Sequence, residues 1–155
     1  MLAELEHLDD KELELILTVP ILVSILIAGA DNEIDKSEIR QAVNISKVKQ
    51  ARARKSLIDY YKEVGENFED KLMIMIQNFP TDAQKRNPLI IEELERLNNI
   101  LPKIDKHYAI EFYESIKDIA KKIAEASGGV LGYMAIGYEE SKLIDLKMIK
   151  DPSKY

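Results

Sequence analysis

Leu15-Ile-Leu-Thr-Val-Pro-Ile-Leu-Val-Ser-Ile-Leu-Ile-Ala-Gly-Ala30 is the longest uncharged run in the chain, and its reading decides the fold. Its sixteen residues fall short of the roughly 20 that a membrane-crossing helix needs. It opens among Glu12 and Glu14 and contains Thr18, Pro20 and Ser24. Apolar residues occupy every side of the helical wheel, which marks a central helix buried all round and not a span. Pro20 sets either a kink or the start of a second helix, because its ring clashes with the preceding turn. Gly29-Ala-Asp-Asn32 ends the run.

Helical periodicity continues outward from it. Asp9 or Asp10 is placed to cap the upstream end. Downstream, Asp35 is an N-cap with Glu38 three residues later, a capping box, and Ile34 and Ile39 stand at hydrophobic-staple positions. That helix is expected from Asp35 to about Ser46 or beyond. Lys47 to Glu63 reads as a charged helical stretch that Gly65 ends. Phe68, Leu72, Met75, Ile76 and Phe79 form an amphipathic stripe stopped by Pro80. Thr81–Pro88 is polar and reads as a loop or short turn. Ile90, Leu94, Leu97 and Leu101 repeat up to Pro102. Tyr108, Phe112, Ile116, Ile119 and Ile123 make the longest clean stripe, broken by Ser127-Gly-Gly129. Val130–Gly137 reads as an ordered loop, Glu139–Lys150 as a last helix carrying Leu143, Leu146 and Ile149, and Asp151–Tyr155 as a frayed end. No strand pattern competes. The expectation is one all-α domain over residues 1–155, a compact bundle of about seven or eight helices.

Composition agrees with a single globular unit. The 155 residues are 46% apolar and 32% charged, ordinary values for a packed domain. Lys and Arg number 22 against 28 Asp and Glu, a net charge of −6. That balance disfavours nucleic acid as a partner, since phosphate neutralisation needs a positive surface. There is no Cys and only two His, so any ion site must be built from oxygen. The acidic N-terminus lacks the basic segment of a signal peptide, and a cytoplasmic location is expected.

An internal echo links two turns. Ile27-Ala-Gly-Ala-Asp-Asn-Glu-Ile34, followed by Glu38, parallels Ile123-Ala-Glu-Ala-Ser-Gly-Gly-Val130, followed by Glu140. A pseudo-repeated pair of helix-turn-helix units is expected. The first turn gathers Asp31, Glu33, Asp35 and Glu38, hard oxygen ligands that suit Ca²⁺ or another divalent cation. It is not an EF-hand: Lys36 stands where that loop needs Gly, and Ala42 occupies its twelfth position. Asp35 and Glu38 are explained as caps. Asp31 and Glu33 follow a helix C-terminus, where the dipole disfavours negative charge. With Glu139 and Glu140 from the second turn, the candidate metal ligands are Asp31, Glu33, Glu38, Glu139 and Glu140. The competing reading is helix-start chemistry on a solvated turn.

These segments resemble the tellurite-resistance B-type (TerB-like) domain family. The resemblance rests on Ala30-Asp-Asn-Glu-Ile34 with Glu38, and on Ala126-Ser-Gly-Gly-Val-Leu-Gly132 with Glu139-Glu140. It extends to Leu57-Ile-Asp-Tyr-Tyr-Lys-Glu-Val64 followed by Asn67-Phe-Glu69. Asn32 stands where the family has Gly, and Asn tolerates a left-handed turn. The resemblance implies an all-α cytoplasmic bundle and a non-enzymatic role in stress or metalloid response. It also implies metal-binding acidic residues and membrane-associated protein partners.

Other constellations have bland readings. Lys47, Lys49, Arg52, Arg54 and Lys55 scatter round a helix and read as a solvated face. Gly128, Gly129 and Gly132 match neither nucleotide-binding fingerprint. His107, with Asp105 and Glu111 nearby in sequence, reads as a surface histidine. Met73, Met75 and the tyrosines read as core, except that one of the adjacent Tyr60 and Tyr61 is expected to face away and mark an interface. Three functions stay open: a binding or scaffold protein with acidic cation sites, a protein-interaction module without metal, and an enzyme using paired carboxylates.

Overall fold

The computed structural model describes residues 3–29, 36–127 and 143–155, and each structural statement below concerns those residues. Six α-helices carry the fold: α1 (Asp10–Ala28), α2 (Lys36–Arg52), α3 (Ile58–Gly65), α4 (Phe68–Asn78), α5 (Ala83–Glu95) and α6 (Lys106–Ser127). Short 3-10 turns lie at Ala3–Leu5, Lys55–Leu57, Arg96–Asn99, Leu101–Lys103 and Pro152–Lys154. There is no strand among the described residues. The all-α expectation holds, with six α-helices described where seven or eight were expected. The two echoed turns and the 130–137 loop fall largely on residues 30–35 and 128–142, outside the described residues.

α1 is one helix, not two segments divided at Pro20. Its start is a complete capping box: Glu12 N–H donates to Asp9 Oδ1 at 2.8 Å and Asp9 N–H to Glu12 Oε1 at 3.1 Å. Pro20 has no N–H, so the Ile16 carbonyl loses its helical donor. The Tyr60 hydroxyl of α3 supplies the missing bond at 2.5 Å. A tertiary donor thus lets the helix run through its proline. Every residue from Val19 to Ala28 is buried, as the uncharged run demands. No described helix is long and apolar enough to cross a membrane.

α6 is the other half of the centre. Tyr108, Phe112, Ile116, Ile119 and Ile123 are all buried, and α6 packs along α1 and α2. Tyr60 meets Phe112 edge-on at 5.4 Å and Tyr61 edge-on at 5.0 Å. Tyr60 and Tyr61 are both buried, so neither marks an interface. The reason is that α3 packs against α1 and α2 and reaches α6 through the Tyr61 hydroxyl, bonded to Ser115 Oγ at 2.5 Å. Burial pushes both phenols' pKa values upward and keeps them neutral.

Lys47, Arg54 and Lys55 of the basic run are exposed as expected, but Lys49 and Arg54 are also tied to α6. Lys49 donates to Asp118 Oδ2 of α6 at 2.8 Å, and Lys122 shares that oxygen at 2.9 Å. Arg54 donates to Glu114 at 2.8 Å and lies 3.8 Å from Glu111. The expected continuous helix to Gly65 breaks near Arg54, whose extended backbone (φ −54°, ψ 143°) leads into the Lys55–Leu57 turn and drops Leu57 into the core. Burial raises the Asp118 carboxyl, but the hydrogen bonds from Lys49 and Lys122 outweigh it and hold the pKa below its ordinary value of 3.8. A depressed carboxylate pKa contributes stability above its unfolded value and loses it as pH falls through the folded value. Asp118→Asn is therefore expected to flatten the acid limb of the stability curve below about pH 4, by no more than about 1 kcal/mol given its partial exposure. Thermal melts across that range check it; an unchanged acid limb contradicts it.

The 81–88 segment is not simply a loop. Asp82 caps α5 by accepting from Gln84 N–H at 2.9 Å, and the helix begins at Ala83. Pro88 lies in the second turn, where the donor it removes would have served exposed Gln84. Ile90, Leu94, Leu97 and Leu101 are buried as expected, carried on from α5 by two 3-10 turns. The expected helix through Lys150 does not form over residues 144–150. Leu146 adopts a left-handed conformation (φ 47°) while remaining buried. Asn98 replaces the helical bonds, donating to the Met148 carbonyl at 2.9 Å and accepting from Lys150 N–H at 2.8 Å. The end is not frayed either: Asp151 caps the last turn through Ser153 N–H at 2.9 Å, and Pro152 is buried.

Candidate functional site

Asp31, Glu33, Glu139 and Glu140 lie outside the described residues. Glu38 falls in the first turn of α2, and its side chain is outside the description too. No three His, Asp or Glu side chains come together to hold a metal ion among the described residues.

The His107 group is structural. His107 Nε2 lies 2.7 Å from Glu111 Oε1, one helical turn away. Ser56 donates to the other oxygen, Oε2, at 2.8 Å. Serine and histidine therefore each bind the carboxylate and form no serine–histidine–acid relay, which requires the imidazole on the hydroxyl. Asp105 is used elsewhere, accepting from Tyr108 N–H at 3.0 Å at the start of α6. Glu111 is nearly buried and anchors the Lys55–Leu57 turn to α6.

The concave apolar surface lies against α1, with α4 and α5 supplying the facing walls. Leu72-Met-Ile-Met-Ile76 gives an eleven-residue helix five consecutive apolar positions. Five residues sweep more than a full turn, so they cannot all face one neighbour. Leu72 is buried, while Met75 and Ile76 are half-buried. Met73 is 39% exposed and Ile74 56%. Leu89 of α5 is 44% exposed close by. Met73 therefore does not pack as core in the way its spacing suggested, while half-buried Met75 packs against the core.

Two confluent hollows, each of about 580 Å³, open here. One runs between α1 and α5, with Leu15 and Leu22 on one wall, Leu89 on the other, and Met75 and Phe79 closing its end. The second runs between α1 and α4, with Leu13, Leu17 and Ile21 facing Ile74 and Met75. Leu13, Leu17 and Ile21 recur every four residues and so share one face of α1. Glu14, Thr18 and Met75 belong to both hollows. Thr18 donates its hydroxyl to the Glu14 carbonyl at 2.6 Å, which ties that donor to its own helix.

The rim is charged. Arg96 and Glu93 pair with each other at 2.9 Å. Asp10, Glu14 and Glu92, and likewise Lys11 and Lys71, form no ion pair among the described residues. The sequence signal for this site was available: an apolar run too wide for one stripe on a short helix stopped by Pro80.

Comparison with known proteins finds no matching family model, curated protein or solved structure.

Proposed function

We propose that the chain is a non-enzymatic binding or scaffold protein that seats an amphipathic helix of a partner protein in the hollow between α1, α4 and α5. The observation that carries this reading is the gathering of exposed Ile74 and Leu89 with half-buried Met75 and Phe79 around two joined hollows. Apolar side chains gathered in a concave site with a charged rim offer a partner's side chains a place to seat. Methionine suits such a surface, since its flexible side chain adapts to what it meets. A helical occupant follows from what the walls offer. They are α-helices, whose main-chain groups are bonded internally, so affinity must come from side chains; helix-in-groove docking works that way. The resemblance to TerB-like domains adds a cytoplasmic setting in stress or metalloid response and a membrane-associated partner. It also adds a divalent cation held by Asp31, Glu33, Glu38, Glu139 and Glu140.

Selection of helical peptides from a random library against the native chain tests this. Enriched peptides are expected to carry apolar anchors at i, i+3 or i+4, and i+7, and to bind the Ile74→Asp/Leu89→Asp variant at least about 30-fold more weakly. Peptides that bind both forms equally contradict it. So does a concentration-dependent dimer of the native chain that the same variant abolishes, because the occupant is then a second copy.

A further inference from the structure

The charges around the hollow carry a deeper inference about the partner, which rests on the groove reading above. The lobe between α1 and α5 is lined by Glu14, Glu92 and Glu93 against Lys11 and Arg96. The lobe between α1 and α4 is lined by Asp10 and Glu14 against Lys71. With Glu14 shared by both lobes, the joined hollow is lined by four carboxylates, Asp10, Glu14, Glu92 and Glu93, against three cations, Lys11, Lys71 and Arg96, within a chain of net charge −6. Arg96 is already neutralised by Glu93. Asp10 and Glu14 stand four residues apart on α1, a like-charge spacing that costs helix stability. Glu92 of α5 lines the same lobe as Glu14. Lys11 and Lys71 are the only opposing ammoniums in the lining, and long lysine stems let such charges move outward into solvent.

We infer that the helix received here is basic at its edges, with Lys or Arg flanking the apolar face so as to meet Asp10, Glu14 and Glu92. Apolar anchors fill the two lobes around Met75, while the flanking cations set orientation and speed of encounter. Complementary rim charge acts on selectivity and association rate more than on total affinity, and it weakens with salt.

Three designed peptides with one shared apolar face, and with Lys, Gln or Glu at the flanks, test the inference by fluorescence anisotropy. The Lys peptide is expected to bind the native chain at least about tenfold more tightly than the Glu peptide at low ionic strength, the gap narrowing toward about 0.3 M salt. Asp10→Asn/Glu14→Gln/Glu92→Gln is expected to erase that preference, so that the Lys and Glu peptides bind within about twofold of each other. Neutralising three exposed carboxylates elsewhere, Glu63, Glu66 and Glu125, is expected to leave the preference in place. Loss of preference in this remote variant, or equal or better binding of the Glu peptide to the native chain, overturns the charge inference. In either case, binding that Ile74→Asp/Leu89→Asp still abolishes leaves the groove reading standing. Binding that this variant leaves intact overturns the groove reading itself.

Discussion

Arg86→Met is expected to lower stability by about 3 kcal/mol, seen in urea as a lower midpoint with an unchanged slope. Arg86 is the buried cation of α5, only 3% exposed. Its Nη1 donates to the Thr81 carbonyl at 3.0 Å and its Nη2 to the carbonyl of Gly29, the C-cap of α1. A guanidinium at a helix C-terminus meets both the last carbonyls and the negative end of the helix dipole. Methionine keeps most of the stem's volume, so the loss reports the hydrogen bonds and not a cavity. Gly29 belongs to the same joint. A Cβ there would collide with the Arg86 guanidinium and lie 2.9 Å from the Ile25 carbonyl oxygen. Gly29→Ala is expected to be costly in the native chain and less so beside Arg86→Met, because one of its two clashes is then relieved. A cost below about 1 kcal/mol for Arg86→Met contradicts this role. The joint also has functional weight, since it ties the C-terminal end of α1 to α5, two of the three helices that wall the hollow.

The second large effect is conditional. Tyr60→Phe is expected to cost about 2 kcal/mol in the native chain, because the buried Ile16 carbonyl then has no donor. In a Pro20→Ala background the same change is expected to cost less than about 1 kcal/mol, since residue 20 regains the N–H that the carbonyl normally uses. A double-mutant cycle by chemical denaturation reads the coupling directly. Equal costs in the two backgrounds would show that the hydroxyl does not compensate for the proline. The phenol's raised pKa adds no pH dependence near neutrality, because it is protonated in both folded and unfolded chains there.

What sequence made legible was whatever repeats locally. The Tyr108–Ile123 stripe imposes burial through its period and the run from Leu15 onward through its lack of charge, and both form the centre of the fold. What stayed hidden depends on partners distant in the chain. Pro20 is silent about whether it breaks a helix until Tyr60 is known to serve the Ile16 carbonyl, 44 residues before it. The break at Arg54 follows from carboxylates on α6 and from the need to bury Leu57. Asn98 holds residues 148 and 150 in place of a final helix, an interaction no local pattern announces. The hollow was half legible: the Leu72–Ile76 run has more apolar residues than one face can use, but only the packing shows that Ile74 and Met75 turn toward α1. Glu14 looked like an ordinary residue near a helix start until α5 brought Glu92 to the lobe that Glu14 lines.

The binding role is tested most directly by methyl-detected NMR of the chain labelled at Met, Ile and Leu, titrated with the Lys-flanked amphipathic peptide. Perturbations are expected to concentrate on Ile74, Met75 and Leu89, with the methyl groups of Ile116 and Ile119 in the α6 core unmoved. Perturbations centred on the α2–α6 side, or none at Ile74, Met75 and Leu89 with peptide in excess, would contradict a groove between α1, α4 and α5 as the site of binding.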